Sequence, residues 1–191
     1  MKTTMPIRNR SQVRELAAYY LKRGEIRNHV LIVLGVHTAL RICDLLRLTW
    51  DDVYDFEKGR FRGSVSIVEG KTRKSKTLAL NKRAISALAA YRPAAKRGGV
   101  LFPSRKGENM PISRQQAYRI IRAAAEALGF AFRVSCHSLR KTFGYRAWKA
   151  DVPPVVIMRV FNHSSLAITQ RYLGITQDDV DGCYHKLAAL A

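Results

Sequence analysis

The stretch VLIVLGVHTALRICDLLRL, residues 30–48, decides what kind of fold this chain adopts. Its first eleven residues (30–40) are apolar apart from His37 and Thr38. A bilayer span needs about 20 such residues, so the run reads as a helix buried inside a protein. Extended back to Ile26, it is apolar nearly all round, which predicts a central helix over 26–40. RICDLLRL (41–48) continues as a helical turn or a short helix. Arg41 follows the buried helix directly, so its guanidinium must either pair or point into a cleft. Asp44, three residues on, is placed to hold it by an i,i+3 contact, and a plain Arg41–Asp44 surface pair would need no further function.

Working outward, the same rules place the other elements. Ser11 can cap a helix over 12–22 with Val13, Leu16, Ala17 and Tyr20 on one face, ended by Gly24. VSIVE (65–69) and KTLAL (76–80) are short and β-branched or alternating, and they flank the polar turn GKTRKS (70–75). That is a hairpin pattern, to which FEKGRFRG (56–63) can add a third strand. Asn81 caps a helix over 82–91, and Ser113 with Gln116 forms a capping box for a helix closing at Gly129. Further helices are expected over 138–150, over VVIMRVF (155–161) behind Pro153 and Pro154, over 164–173 and over 179–191. The expected fold is mainly α (α+β), with one small antiparallel sheet of about three strands near the first third.

Composition bounds the function. The 191 residues carry 34 Lys and Arg against 14 Asp and Glu, a net charge of +20, with 47% hydrophobic residues. The apolar share supports a proper core and excludes wholesale disorder. So large a positive charge repels itself and persists where a polyanion neutralises it. Nucleic acid is the first candidate, with an anionic membrane surface or packing on RNA as the others. Residues 58–83 hold nine Lys or Arg against a single acid, Glu69, which suggests a phosphate-facing surface more than a merely solvated one. Cys43, Cys136 and Cys183 lie far apart with no C-x-x-C pair, so neither a disulfide framework nor a zinc knuckle is indicated and a reducing cytosol is expected. MKTTMPIRNR (1–10) lacks the apolar stretch of a secretory signal.

Three further segments place reactive groups inside apolar patterns. In HSLRKTFGYRAW (137–148), His137 and Arg140 share one side of a helical turn, where a guanidinium fork and an imidazole invite an anion. A basic helix end resting on DNA without chemistry explains the same residues. In FNHSSLAITQRYLG (161–174), Tyr172 falls nine residues after His163, a spacing at which an isolated tyrosine is usually a core residue. Lys71, in the hairpin turn, is by itself indistinguishable from its neighbours.

Taken together, in this order and spacing, TALRICDL, EGKTRKSKTLAL, HSLR and FNHSSLAITQRY resemble the boxes of the tyrosine recombinase (phage integrase) family over about residues 11–185. That resemblance implies a catalytic domain over 11–178, preceded by an extension (1–10) and followed by a C-terminal helix (179–191). The stripe Val180, Cys183, Leu187 and Leu190 on that helix would pack on its own core or be exchanged between protomers. The resemblance also implies site roles. Arg41 and Arg140 would bind the scissile phosphate, with Asp44 orienting Arg41. Lys71 would protonate the departing 5′-oxygen, His137 would assist proton transfer, His163 would donate to a non-bridging oxygen, and Tyr172 would attack phosphorus. Arg73, Lys74, Lys76, Arg114 and Lys141 are expected on the DNA backbone. A phenol ionises near pH 10, so its attack needs a stabilising field, and two guanidiniums beside the phosphate supply one. The 3′-phosphotyrosine conserves the energy of the phosphodiester, so neither metal nor other cofactor is expected.

Some positions depart from the family pattern. Ala39 replaces a common glycine, Cys43-Asp44 replaces a small residue and Glu, Phe161-Asn162 replaces Leu-Gly before His163, and Asp151 replaces a frequent C-cap glycine. Most members also carry an N-terminal helical domain, whereas hardly ten residues precede the catalytic boxes. Either a short recombinase, similar in architecture to the fimbrial phase-variation invertases, or a fragment is implied. The expected partners are double-stranded DNA, further copies of the chain (dimer to tetramer on DNA) and accessory DNA-bending proteins, in the cytoplasm with the nucleoid and without a membrane. A type IB topoisomerase-like activity and a non-cutting DNA-binding regulator remain as alternatives.

Overall fold

The computed structural model describes residues 4–188. The central helix α2 (Ile26–His37) is buried along nearly its whole length, from Val30 through Val36. It packs against α1 (Arg10–Leu21), α5 (Lys82–Tyr91) and α7 (Cys136–Trp148). Close approach of α7 depends on Gly35, where a Cβ would lie 2.6 Å from Leu139 Cδ1. The helix stops at His37, three residues short of the expected end. There the Thr38 hydroxyl donates back to the Leu34 carbonyl (2.7 Å) and Ala39 adopts φ +55°. Arg41 is therefore an extended N-cap residue of the short α3 (Ile42–Leu46) rather than part of a continuous helix.

α4 (Trp50–Val53) leads into two antiparallel ribbons rather than one three-stranded sheet. β1 (Tyr54–Asp55) pairs with β2 (Arg60–Phe61) through a turn in which the Asp55 carboxylate accepts from the Glu57 and Lys58 amides. β3 (Ser64–Val68) and β4 (Ser75–Ala79) form the expected hairpin, in a register pairing Ser64 with Ala79 and Val68 with Ser75. FEKGRFRG thus folds back on the chain before it, because the Asp55 cap closes a local turn there. On β4 the alternation turns Lys76 and Leu78 inward.

α6 (Arg114–Ala127) follows, opened by the Ser113 cap as expected. α8 (Pro154–Phe161), α9 (Leu166–Leu173) and α10 (Gln177–Ala188) complete the chain. Asn9, not Ser11, caps α1, its side chain accepting from the Ser11 amide at 2.8 Å. A second, smaller core of Ala39, Ile157, Phe161 and Leu173, flanked by Phe143, Trp148 and Tyr172, joins α7, α8 and α9 beneath the site. The leading residues belong to the fold. Ile7 is buried and its amide donates to Thr142 Oγ1 (2.8 Å), while Arg8 donates to the Gly174 carbonyl and pairs with Asp179 at 3.8 Å. Of the C-terminal stripe, Val180 is exposed; the side chains of Cys183 and Leu187 and the whole of Leu190 lie outside the described residues. No helix among the described residues is long and apolar enough to cross a membrane.

Candidate active site

Four segments converge beside the second core: the 38–41 link, the β3–β4 turn, the first turns of α7, and the α8–α9 corner. Ser135 and Ser138 form a reciprocal capping box that fixes the start of α7, with His137 and Arg140 in its first turns. At the end of α8, Asn162 takes the left-handed conformation (φ 52°, ψ 39°) that a glycine would supply, so the change from Leu-Gly to Phe161-Asn162 preserves the corner. His163 Nδ1 then lies 3.0 Å from the buried Thr169 hydroxyl, which fixes its ring.

Tyr172 sits in the middle of this arrangement. Its ring centroid is 4.7 Å from that of His137, 4.5 Å from that of His163 and 5.4 Å from that of Phe161. The Arg140 guanidinium lies 6.0 Å from the same ring and Lys141 Nζ 5.6 Å from it. Tyr172 is half-buried.

Arg140 is 1% exposed, and it does not present the open fork that the sequence suggests. One terminal nitrogen donates to the Ala39 carbonyl and the other to the Phe161 carbonyl (2.8 Å), leaving Nε without a partner. It therefore ties the Arg41 link to the His163 corner and offers the site its charge and Nε. Burial, then the nearby Arg41, push its pKa down to about 10, so it stays protonated at neutral pH.

Arg41 pairs with Glu69 (2.7 Å), not with Asp44. The expected i,i+3 contact presumes a helical Arg41, and at ψ 147° that residue is extended. Asp44 instead accepts from the Gly70 amide (2.9 Å), bracing the hairpin turn. Glu69, which sequence reasoning passed over, had one signal: it is the only acid in the basic run 58–83.

The cationic residues divide into two groups. Lys71, Arg73, Lys74 and Arg114 are exposed, and Arg73 closes the turn at φ +57°. Lys76 and Lys141, expected on the DNA surface, are instead 9% and 4% exposed. Strand alternation turns Lys76 inward, and Lys141 follows Arg140 into the protein beside Tyr172. Burial, then Arg140, push the Lys76 pKa down to about 8, with Glu69 pulling the other way. The His163 pKa falls to about 4 through burial, then Arg140 and Arg41. His137, still open to solvent, is moved in the same direction by loss of hydration and then by Lys141, Arg140 and Arg41. Both imidazoles are neutral at pH 7.

Among the described residues, the buried side-chain atoms without a hydrogen-bond partner belong to Arg41, Asp44, Glu69, Lys76, Arg140 and Asn162. All six residues surround this site. Unmet polar capacity concentrated at one place marks a centre able to bind a polar ligand.

Residues 9–178 match the sequence pattern of the Phage integrase family. The chain belongs to that family of tyrosine recombinases. As a phage integrase family member it is 34% identical to the probable integrase/recombinase YoeC of Bacillus subtilis (strain 168), over 100% of both chains. It is 28% identical to the tyrosine recombinase XerD of Corynebacterium glutamicum over 82% of its own length and 51% of that protein. The family member thus spans the full length of the first relative and about half of the second. Among solved structures, the XerA recombinase aligns with a TM-score of 0.76 at 19% identity, covering 96% of this chain and 66% of that one. The XerH site-specific recombinase bound to its difH substrate aligns at 0.69 and 18% identity, over 95% of this chain and 54% of that one. The helical fold with small antiparallel ribbons is that of these recombinases.

Proposed function

We propose that this protein cuts and rejoins double-stranded DNA at specific sites through a covalent link between Tyr172 and a 3′-phosphate. The observation that carries this reading is the enclosure of one tyrosine by two histidines and a buried arginine, at 4.5 to 6.0 Å, beside a second arginine. In cleavage, Tyr172 Oη attacks phosphorus, the bond from phosphorus to O5′ breaks, and the phenolic proton passes to a base. His137, uncharged at neutral pH, is available to take it. His163, its ring fixed by the 3.0 Å contact of Nδ1 with the Thr169 hydroxyl, presents Nε2 to a non-bridging oxygen and donates to it in the tautomer protonated there. Arg41 and Arg140 supply the positive field for the charge that builds on the phosphoryl oxygens. Lys71, in the turn facing outward, gives the 5′-oxygen its proton. Rejoining runs the steps backwards, with a 5′-hydroxyl attacking and the tyrosine leaving.

The exposed basic turn residues Arg73 and Lys74, with Arg114, support backbone contacts to DNA. Assembly as a dimer to tetramer on DNA, helped by DNA-bending proteins in the nucleoid, completes the proposal. The test is a nicked suicide duplex followed by denaturing electrophoresis. Wild type should give a protein–DNA adduct and Tyr172→Phe none; an adduct with the phenylalanine variant overturns the assignment. Strand exchange assayed beside plasmid relaxation separates a recombinase from an enzyme that only relaxes supercoils.

A further inference from the structure

One buried carboxylate, at the end of β3, serves two of the segments that build the site and lies against a third. Glu69 is wholly buried, and its Oε2 meets Arg41 Nη1 at 2.7 Å and accepts the Thr72 hydroxyl at 2.6 Å. The Asn162 amide, at the corner before His163, lies close enough to favour the charged form of the carboxylate while its Nδ2 stops short of hydrogen-bond geometry. The Glu69 backbone closes the same turn, its carbonyl accepting from the Arg73 amide (2.9 Å) and its amide donating to the Lys74 carbonyl (3.0 Å). Lys71 lies inside the loop so defined.

Charge makes this carboxylate hard to replace. Arg41, Arg140 and Lys76 crowd together, and Asp44 is already engaged with Gly70. Burial alone would raise the Glu69 pKa, yet the hydrogen bond from Thr72 and the Arg41 ion pair hold it below the usual carboxylate range. It is therefore an anion at neutral pH. Without it Arg41, still partly open to solvent, would turn outward, away from the other cations.

We propose that Glu69 is a positioning residue for DNA cleavage, fixing the Arg41 guanidinium and the Lys71-bearing turn in one register from a single buried carboxylate. This rests on the cleavage reading above for its catalytic consequence, but the coupling itself is a property of the free protein. With one terminal nitrogen held by Glu69, the remaining N–H groups of Arg41 are left for the phosphate. The Thr72 contact sets the turn, and so the height of Lys71 relative to that arginine.

The experiment has two arms, both on the full chain with Glu69→Gln, Glu69→Asp and Thr72→Val. In the first, without DNA, hydrogen exchange is followed at the amides of residues 70–74 and at the Arg41 side chain. Glu69→Gln should speed both by about tenfold, about 1.4 kcal/mol of local opening, while α5 and α6 keep their protection. In the second, adduct formation is timed on nicked duplexes whose 5′-leaving atom is oxygen or sulfur. A thiolate leaves without a proton donor, so sulfur removes the need for Lys71 but not for Arg41. Glu69→Gln should slow the oxygen substrate by about 10²-fold and the sulfur substrate distinctly less. Glu69→Asp should recover part of the rate, and Thr72→Val should affect only the oxygen substrate. Unchanged exchange, equal losses on both substrates, or faster cleavage by Glu69→Gln (the behaviour of a mere phosphate placeholder) would each overturn the proposal. Should wild type form no adduct on either substrate, the assignment of Tyr172 fails while the exchange arm still decides the coupling.

Discussion

Arg140 shows how one side chain can serve both fold and chemistry. Its two terminal nitrogens satisfy carbonyls 101 and 21 residues away in sequence, and a lysine there would have to serve both from one nitrogen without the guanidinium's fixed fork. Arg140→Lys should lose about 1–3 kcal/mol in denaturant unfolding as well as adduct formation. Lys76 is the opposite case, a buried cation whose Nζ has no partner. Its pKa falls from 10.5 to about 8 on folding, so the charged form opposes the fold. Lys76→Met should therefore raise stability by up to about 3 kcal/mol at pH 7. The gain is full below pH 8 and fades as pH rises towards 10.5, where both states of the wild type lose the proton. Chemical denaturation at pH 7 and pH 10 checks the sign. His163 works in the acid range. Its folded pKa of about 4 lies below the unfolded value, so its contribution is present above pH 6.5 and lost as pH falls towards 4. Melting temperature should fall through that window, less steeply in His163→Gln. At this scale the sequence disclosed residue types and spacing but not partners. Asp44 was the natural counter-ion for Arg41 only if the intervening backbone were helical, and the left-handed Ala39 just before it reflects a turn that periodicity could not announce.

The elements themselves were largely legible. The hairpin, the Asn81 and Ser113 caps, and the helix behind Pro153 and Pro154 stand where capping and alternation put them. The misplaced strand pairing has a local cause, since alternation identifies a strand but not its neighbour. Nor could pattern alone reveal the packing of α7 on α8. Gly144 is the contact, where a Cβ would lie 2.7 Å from the Phe161 ring. Phe161 stacks on His163 at 4.9 Å and touches Tyr172, so displacement there travels straight to the site. Gly144→Ala should cost about 1–3 kcal/mol and slow adduct formation. Gly182→Ala, with nothing within 4 Å of its added Cβ, should leave thermal stability unchanged or slightly higher. The paired melting curves test whether the α7–α8 contact, rather than glycine removal as such, is responsible.

For the whole molecule, the order of boxes along the chain was the strongest signal, because the fold gathers residues from 41 to 172 at one place. Net charge indicated a polyanion but overstated its contact surface, since Lys76 and Lys141 spend their charge inside. The remaining exposed cations still predict binding dominated by phosphate. Affinity for duplex DNA should fall by about 10³-fold or more between ~50 and ~200 mM salt, and a flat titration would refute such an interface. Arg73→Ala and Lys74→Ala should each flatten that slope by about one unit without altering which sequence is preferred.

The clasp of Arg8 on the Gly174 carbonyl, Thr176 and Asp179 makes the two ends of the described chain mechanically continuous. The same arginine lies 5.2 Å from the Tyr145 ring, and Pro6 fits closely over Gly174. A load applied to the leading residues, as in an optical trap or by a bulky fused partner, would reach the Gly174 cap of α9, the helix that carries Tyr172, before it reached the main core. Pulling from that end should detach α10 as an early, low-force event and leave the helices around α2 standing.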